Sequence, residues 1–176
     1  MLPQSFYNQK TLKVAQDLLG CFLIRKIGNK TIRAKIIETE GYNGPRDKAS
    51  HASRGMTERN KVMFASPGTI YVYFTYGMHN MFNIVTESQG YPAAVLIRGV
   101  EVVGKDRKLT NGPAKMTKFL NINKSFNEKK IFERKNGLWI EEREEKIKST
   151  QIKKTPRIGI DYAEEYKDKL WRYLIT

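Results

Sequence analysis

Apolar residues at Leu12, Ala15, Leu18 and Leu19 follow helical spacing, with Thr11 placed to cap a short helix and Gly20 to stop it. Past Gly20 the period changes. Residues 21–27 and 31–40 read as two strands joined by the polar turn Gly28-Asn29-Lys30, because Ile32, Ala34 and Ile36 alternate with Arg33 and Lys35. Carried to the end of the second strand, this alternation sets Glu38 and Glu40 on the apolar face. A carboxylate there is costly to bury unless it is partnered or used, so at least one of the two is expected to line a cleft.

Residues 43–68 break all periodicity with Gly44-Pro45, Arg54-Gly55 and Ser66-Pro67-Gly68, a stretch long enough to be a functional loop and carrying His51, Arg59 and Asn60. Residues 69–76 and 78–86 are β-rich and meet at Tyr76-Gly77, which predicts a hairpin with an aromatic tip. Residues 92–103 form another apolar strand, interrupted by Arg98, and Gly112-Pro113 opens a helix over 114–120. There is no internal repeat and no low-complexity tail.

Length and charge narrow the partners. A chain of 176 residues suits one domain, 1–176, burying roughly 70% of its unfolded surface without staples. Thirty-two Lys and Arg against eighteen Asp and Glu give a formal charge of +14, which favours a polyanionic partner, although a solubilising surface would have the same composition. Residues 105–154, with 15 basic and 7 acidic side chains, hold much of that surplus. The single Cys21 lies in an apolar run and fits a reducing compartment without an internal disulfide. The apolar run at 18–24 is too short for a membrane span, so a cytoplasmic protein without a membrane partner is expected. Two histidines and one cysteine without ligand spacing argue against zinc.

Glu40, nearer the loop, is the candidate general base; Glu38, further in, is its competitor, and one of them reaches a substrate while the other braces the strand. Two carboxylates on one side of one strand do not suit a glycosidase whose acid and base face each other across a sugar, which, with the charge, weakens a carbohydrate-hydrolase reading. One carboxylate suffices when the leaving group is already cationic, as an alkylated purine is. Tyr42, Tyr71, Tyr73 and Tyr76 either pack the sheet, the favoured reading for Tyr71, or serve a ligand, Tyr42 and Tyr73 sandwiching a flat base and Tyr76 wedging into a duplex. His51 in its polar loop serves either a ligand or the loop itself. Asn83 and Arg98 either satisfy buried backbone groups or line a pocket. The enzyme reading requires the Glu40 carboxylate to face a ring-lined cavity, open to solvent and large enough for an extruded purine. The same charge and rings also serve a non-catalytic nucleic-acid-binding protein.

The residues Ile37-Glu38-Thr39-Glu40-Gly41-Tyr42, Gly44-Pro45, His51, Thr57-Glu58-Arg59-Asn60 and Met63-Phe64 carry a resemblance that continues through 67–83 and 94–98. It extends further to Gly112-Pro113, Pro156-Arg157-Ile158-Gly159 and Trp171-Arg172-Tyr173, nearly the whole chain. In these stretches the chain resembles the alkyladenine DNA glycosylases, also called the 3-methyladenine or methylpurine DNA glycosylase family. It departs from the family pattern at Gly41, where alanine is usual, and at Met56, where a basic residue is usual. The resemblance implies an α+β fold: a single domain with a curved, mainly antiparallel sheet, flanking helices and a protruding hairpin that intercalates into DNA. It also implies a monofunctional, cofactor-free and metal-free monomer acting on double-stranded DNA with a damaged purine. Glu40 would activate the water, Arg98 would help hold it, and Tyr42, His51 and Tyr73 would wall the base pocket. Asn83 would crowd the 2-amino group of guanine, Tyr76 would intercalate, and Met78 would sit beside it in the minor groove.

Overall fold

The computed structural model describes residues 1–176 except Tyr76. After a single helical turn, α1 (Gln4–Tyr7), the predicted helix forms as α2 (Thr11–Asp17). Thr11 is its first residue rather than its cap. Its backbone N–H and its hydroxyl both donate to Glu87 Oε1, at 2.9 and 3.0 Å, so a carboxylate from a distant loop satisfies the positive end of the helix. Gly20, at φ +82°, ends the segment in the left-handed conformation a stop requires.

The chain then enters β1 (Phe22–Ile27) and β2 (Lys30–Tyr42), so Lys30 belongs to the strand rather than the turn. After the long loop come β3 (Ile70–Thr75), β4 (His79–Val85) and β5 (Ala94–Glu101), then α3 (Pro113–Phe119) with proline in its first turn. Three four-residue strands follow, β6 (Leu138–Glu141), β7 (Ile152–Thr155) and β8 (Arg172–Ile175), none of which the alternation predicts. The fold is α+β, built on one eight-stranded sheet in which every pairing is antiparallel, in the order β3-β4-β5-β2-β1-β6 with β8 on β2 and β7 on β8. Strands β3 and β4 pair from Ile70↔Ile84 to Thr75↔His79, and the residue expected to intercalate, Tyr76, lies outside the described residues.

Strand β2 organises the rest. Its first half pairs with β1, its second half pairs with β8 on that same edge, and β5 runs along the other edge. Val14 and Ala15 of α2, with Leu18 and Leu19 just after it, join Ile36, Ile97 and Phe82 in the main core. Consequently the expected one-faced alternation holds only as far as Lys35, and every residue from Ile36 to Gly41 is buried. Packing there is tight: a methyl group on Gly41 would come within 2.7 Å of Leu12 Cδ2, so glycine lets α2 close down on the strand. Among the described residues no helix is long and apolar enough to cross a membrane.

The contact between Glu87 and Thr11 gives a direct test of this packing. Glu87→Ala removes the acceptor at the start of α2 and is expected to destabilise the protein by about 1–2 kcal/mol, read from urea unfolding. An unchanged midpoint would show that the helix end is satisfied without it.

Candidate active site

Two irregularities in the pairing of β2 with β5 build the centre of the site. The register runs Ile36↔Val100, Glu38↔Gly99, Thr39↔Ile97, which leaves Ile37 unpaired on one strand and Arg98 unpaired on the other. Such bulges turn side chains off the regular pleat. Here they bring the Arg98 guanidinium to both carboxylates: Nε donates to Glu38 Oε1 at 2.9 Å, and Nη1 lies 3.4 Å from Glu40 Oε1. Glu38 also accepts from Arg172 Nε of β8 at 2.6 Å. Glu38 is thus partnered by two arginines.

Beside this cluster lies a cavity of about 240 Å³. Tyr42, His51, Tyr73, Asn83 and Arg98, all singled out in the sequence, line it together with Tyr71. Met78 does not; it is exposed and borders a separate groove with Lys115 and Lys118. The rings form a connected wall. His51 meets Tyr73 edge-on at 4.5 Å between centroids, and Tyr71 lies 5.3 Å from Tyr73. Asn60 fixes the loop beneath them by donating to the carbonyls of His51 and Gly55 at 2.8 and 2.9 Å.

Glu40 corrects an expectation. Its carboxylate was to open onto the cavity, yet the residue has no exposed surface and stands one hydrogen bond behind the cavity wall. Oε2 accepts from the Tyr42 hydroxyl at 3.0 Å and Oε1 from the Ile158 N–H at 2.9 Å, and Tyr42, Ile158 and Arg98 all line the cavity. The cause is the double-sided burial of β2, which the alternation pattern does not register. Burial raises the Glu40 pKa above the ordinary carboxylate value, against the opposing pull of Arg98, the Ile158 N–H, Tyr42 and Arg157. Burial also works against the charge on Arg98, but Glu40 and Glu38 outweigh it and raise its pKa.

The aromatic side chains are held neutral. Burial pushes Tyr71 up to about 12 and, with nearby phenols and Glu40, raises Tyr73 further; Tyr42 rises through burial and the charge of Glu40. His51 is exposed at the rim, but crowding of its ring and the charge of Arg59 lower its pKa, favouring the neutral imidazole. Its Nδ1 lies 3.1 Å from the Tyr71 hydroxyl, so His51 contacts a ring assigned by sequence to sheet packing. Asn83 does both things the sequence left open: its NH₂ donates to the Tyr71 and Met81 carbonyls, each at 3.2 Å, while the residue lines the cavity. Among the described residues no three His, Cys, Asp or Glu side chains gather as metal ligands.

Sequence reasoning missed the opposite wall. Residues Ile158, Gly159, Ile160 and Tyr162 line the cavity, and Tyr162 donates from its hydroxyl to the Ala49 carbonyl at 3.4 Å. Behind them Arg157 and Asp47 form a fully buried ion pair, and the Arg157 guanidinium lies 4.8 Å from the Tyr42 ring centroid. Only the Pro156-Arg157-Ile158-Gly159 stretch, part of the family resemblance, flagged this segment.

Because folding raises the Glu40 pKa, the sign of its contribution follows: ionised Glu40 disfavours the fold, a penalty absent below the ordinary carboxylate pKa and growing as pH rises through the folded value. Glu40→Gln is therefore expected to melt above the wild type near neutral pH. The difference should vanish in acid, and calorimetry across pH checks both signs.

The sequence profile of the methylpurine-DNA glycosylase (MPG) family matches residues 5–176. The chain is 42% identical over 189 aligned positions to a protein of Methanocella arvoryzae, covering 98% of this chain and 91% of that one. It is 44% identical to a protein of Chlamydia felis (100% and 96% covered) and 39% identical to one of Legionella pneumophila (99% and 93% covered). All three relatives carry the name "Putative 3-methyladenine DNA glycosylase". With a match of this extent, the chain belongs to the methylpurine-DNA glycosylase family and is a DNA glycosylase, a hydrolase of N-glycosyl bonds whose substrate is DNA.

Proposed function

We propose that this enzyme extrudes alkylated or deaminated purines from duplex DNA and hydrolyses their N-glycosidic bond with a water activated by Glu40. The observation that carries the reading is the placement of one buried carboxylate directly behind a cavity walled by neutral rings. Neutral phenols present electron-rich faces to a flat cationic base, and a dry setting strengthens that attraction. The purine enters between Tyr42 and the Tyr73–His51 wall. Glu40 takes a proton from water, the water oxygen bonds to the anomeric carbon, and the electrons of the broken bond neutralise a cationic purine as it departs, whereas a neutral purine leaves as the anion and takes its proton from solvent. A free base and an abasic site result.

Access is the requirement this conformation adds. Water reaches Glu40 only if the Tyr42 hydroxyl leaves Oε2 or the segment around Ile158 moves, and entry of a base against Tyr42 supplies the occasion. Arg98 then holds the water beside the carboxylate, while Glu38 keeps Arg98 in place. Among the cavity residues no carboxylic acid stands ready to protonate a leaving group, and His51 favours its neutral form. Cationic 3-methyladenine and 7-methylguanine therefore suit the site better than neutral hypoxanthine or etheno-adenine.

Asn83 opposes the 2-amino group of normal guanine, with its carboxamide NH₂ already committed to backbone carbonyls. Tyr76 fills the gap left in the helix, and exposed Met78 sits beside it in the minor groove. One copy of the chain supplies every part of the site, so a monomer suffices.

Duplexes carrying each of the four lesions, incubated with excess enzyme, test the assignment. Glu40→Gln is expected to lose at least about a hundredfold in single-turnover excision; excision at the wild-type rate would remove Glu40 from the mechanism. Asn83→Ala is expected to release normal guanine about 10- to 200-fold faster, the range one steric contact controls, while lesion excision changes little.

A further inference from the structure

Arg157 and Asp47 lie 110 residues apart and have no exposed side-chain surface. Their contact is bidentate, Nη1 to Oδ2 at 2.6 Å and Nη2 to Oδ1 at 2.8 Å. Each partner makes further bonds that converge on the base. Arg157 Nη1 donates to the Gly41 carbonyl at 2.9 Å, between Glu40 and Tyr42 in the chain, and the guanidinium lies between the rings of Tyr42 and Trp171 at 4.8 and 5.0 Å. Asp47 accepts from the N–H groups of Asn43 and Ala49 at 3.0 and 3.1 Å, which fixes the chain leaving β2. The residue after Arg157 is Ile158, whose N–H bonds Glu40 Oε1.

The arrangement is costly. A buried pair repays its desolvation only with good geometry and further hydrogen bonds, and Arg157 Nε is buried without a partner among the described residues. Apolar packing would join the two loops without leaving that donor unsatisfied. What apolar side chains would not supply is a positive charge behind Tyr42 and an N–H aimed at the carboxylate.

We propose that Asp47 and Arg157 are positioning residues for the Glu40 base, holding the Ile158 N–H and the Tyr42 ring on its two oxygens and so keeping the carboxylate aimed and ionised. The inference rests on Glu40 as base. The groups facing Glu40 are Arg98 from β5, Tyr42 from its own strand, Tyr73 from β3 and Arg157; Glu38 and Arg172 face each other alongside, and Glu38 shares Arg98. Loosening the pair withdraws the Ile158 N–H and the Arg157 charge while burial persists. Both losses disfavour the carboxylate, so the pH at which Glu40 becomes active must rise.

The test is single-turnover excision of 7-methylguanine from duplex DNA as a function of pH, with thermal melting measured on each protein. Arg157→Gln, which removes the charge and the bidentate fork, is expected to move the acid limb up by about one pH unit. It should excise about tenfold more slowly below the limb and recover towards the wild-type rate in mild alkali. Arg157→Lys keeps the charge but loses the fork, should fold more readily, and should move the limb in the same direction by less. A limb that stays in place while the rate falls equally at every pH would overturn the proposal. So would failure of both variants to fold, because the pair would then be only a structural clasp. Glu40→Gln run alongside separates the two claims: excision by that variant refutes the base itself, whereas an inactive Glu40→Gln with an unmoved limb refutes only the positioning role.

Discussion

The structure turns on a carboxylate kept out of water. Glu40 sits on a strand covered from both sides, and Arg98, the Ile158 N–H and the Tyr42 hydroxyl surround it and favour its charged form against burial. Each of those groups belongs to a different part of the chain, so the fold is constrained to bring β5, the C-terminal segment and the end of β2 to one point. A carboxylate buried in this way has a raised pKa and stands behind the cavity wall, out of contact with solvent.

The second constraint is that, among the described residues lining the cavity, no carboxylic acid faces Glu40. Glu38, the nearest carboxylate, is turned to Arg98 and Arg172 and lies on the same strand as Glu40. Two carboxylates so placed cannot flank a bond from opposite sides. Under the proposed mechanism this arrangement suits leaving groups that depart with little help, such as the methylpurines of the family's name. The formal charge of +14 is of the sign that attracts DNA.

Local pattern revealed the elements that depend on neighbours in sequence. The helix ending at Gly20, the strands of the first hairpin, the β3 and β4 runs and the Gly112-Pro113 helix start all emerge within a residue or two of where spacing places them. Arg98 and Asn83 stood out because a polar residue in an apolar strand needs a reason. Tertiary features did not stand out. Strands β6, β7 and β8 are four residues each, too short for alternation to register, yet β8 supplies Arg172. The bulges at Ile37 and Arg98 exist only in the pairing of two strands about 60 residues apart. The Asp47–Arg157 pair spans 110 residues, and the burial of Glu40 follows from what packs over β2, so neither leaves a mark on periodicity.

The most direct measurement is a crystal structure of the protein on duplex DNA holding an uncleavable analogue of a methylated purine nucleotide. The account predicts the purine in the cavity, the Tyr42 hydroxyl off Glu40, and a water within about 2.6–3.2 Å of the carboxylate on the side of the anomeric carbon. A filled cavity with the Tyr42–Glu40 bond intact and no water at the carboxylate would contradict it.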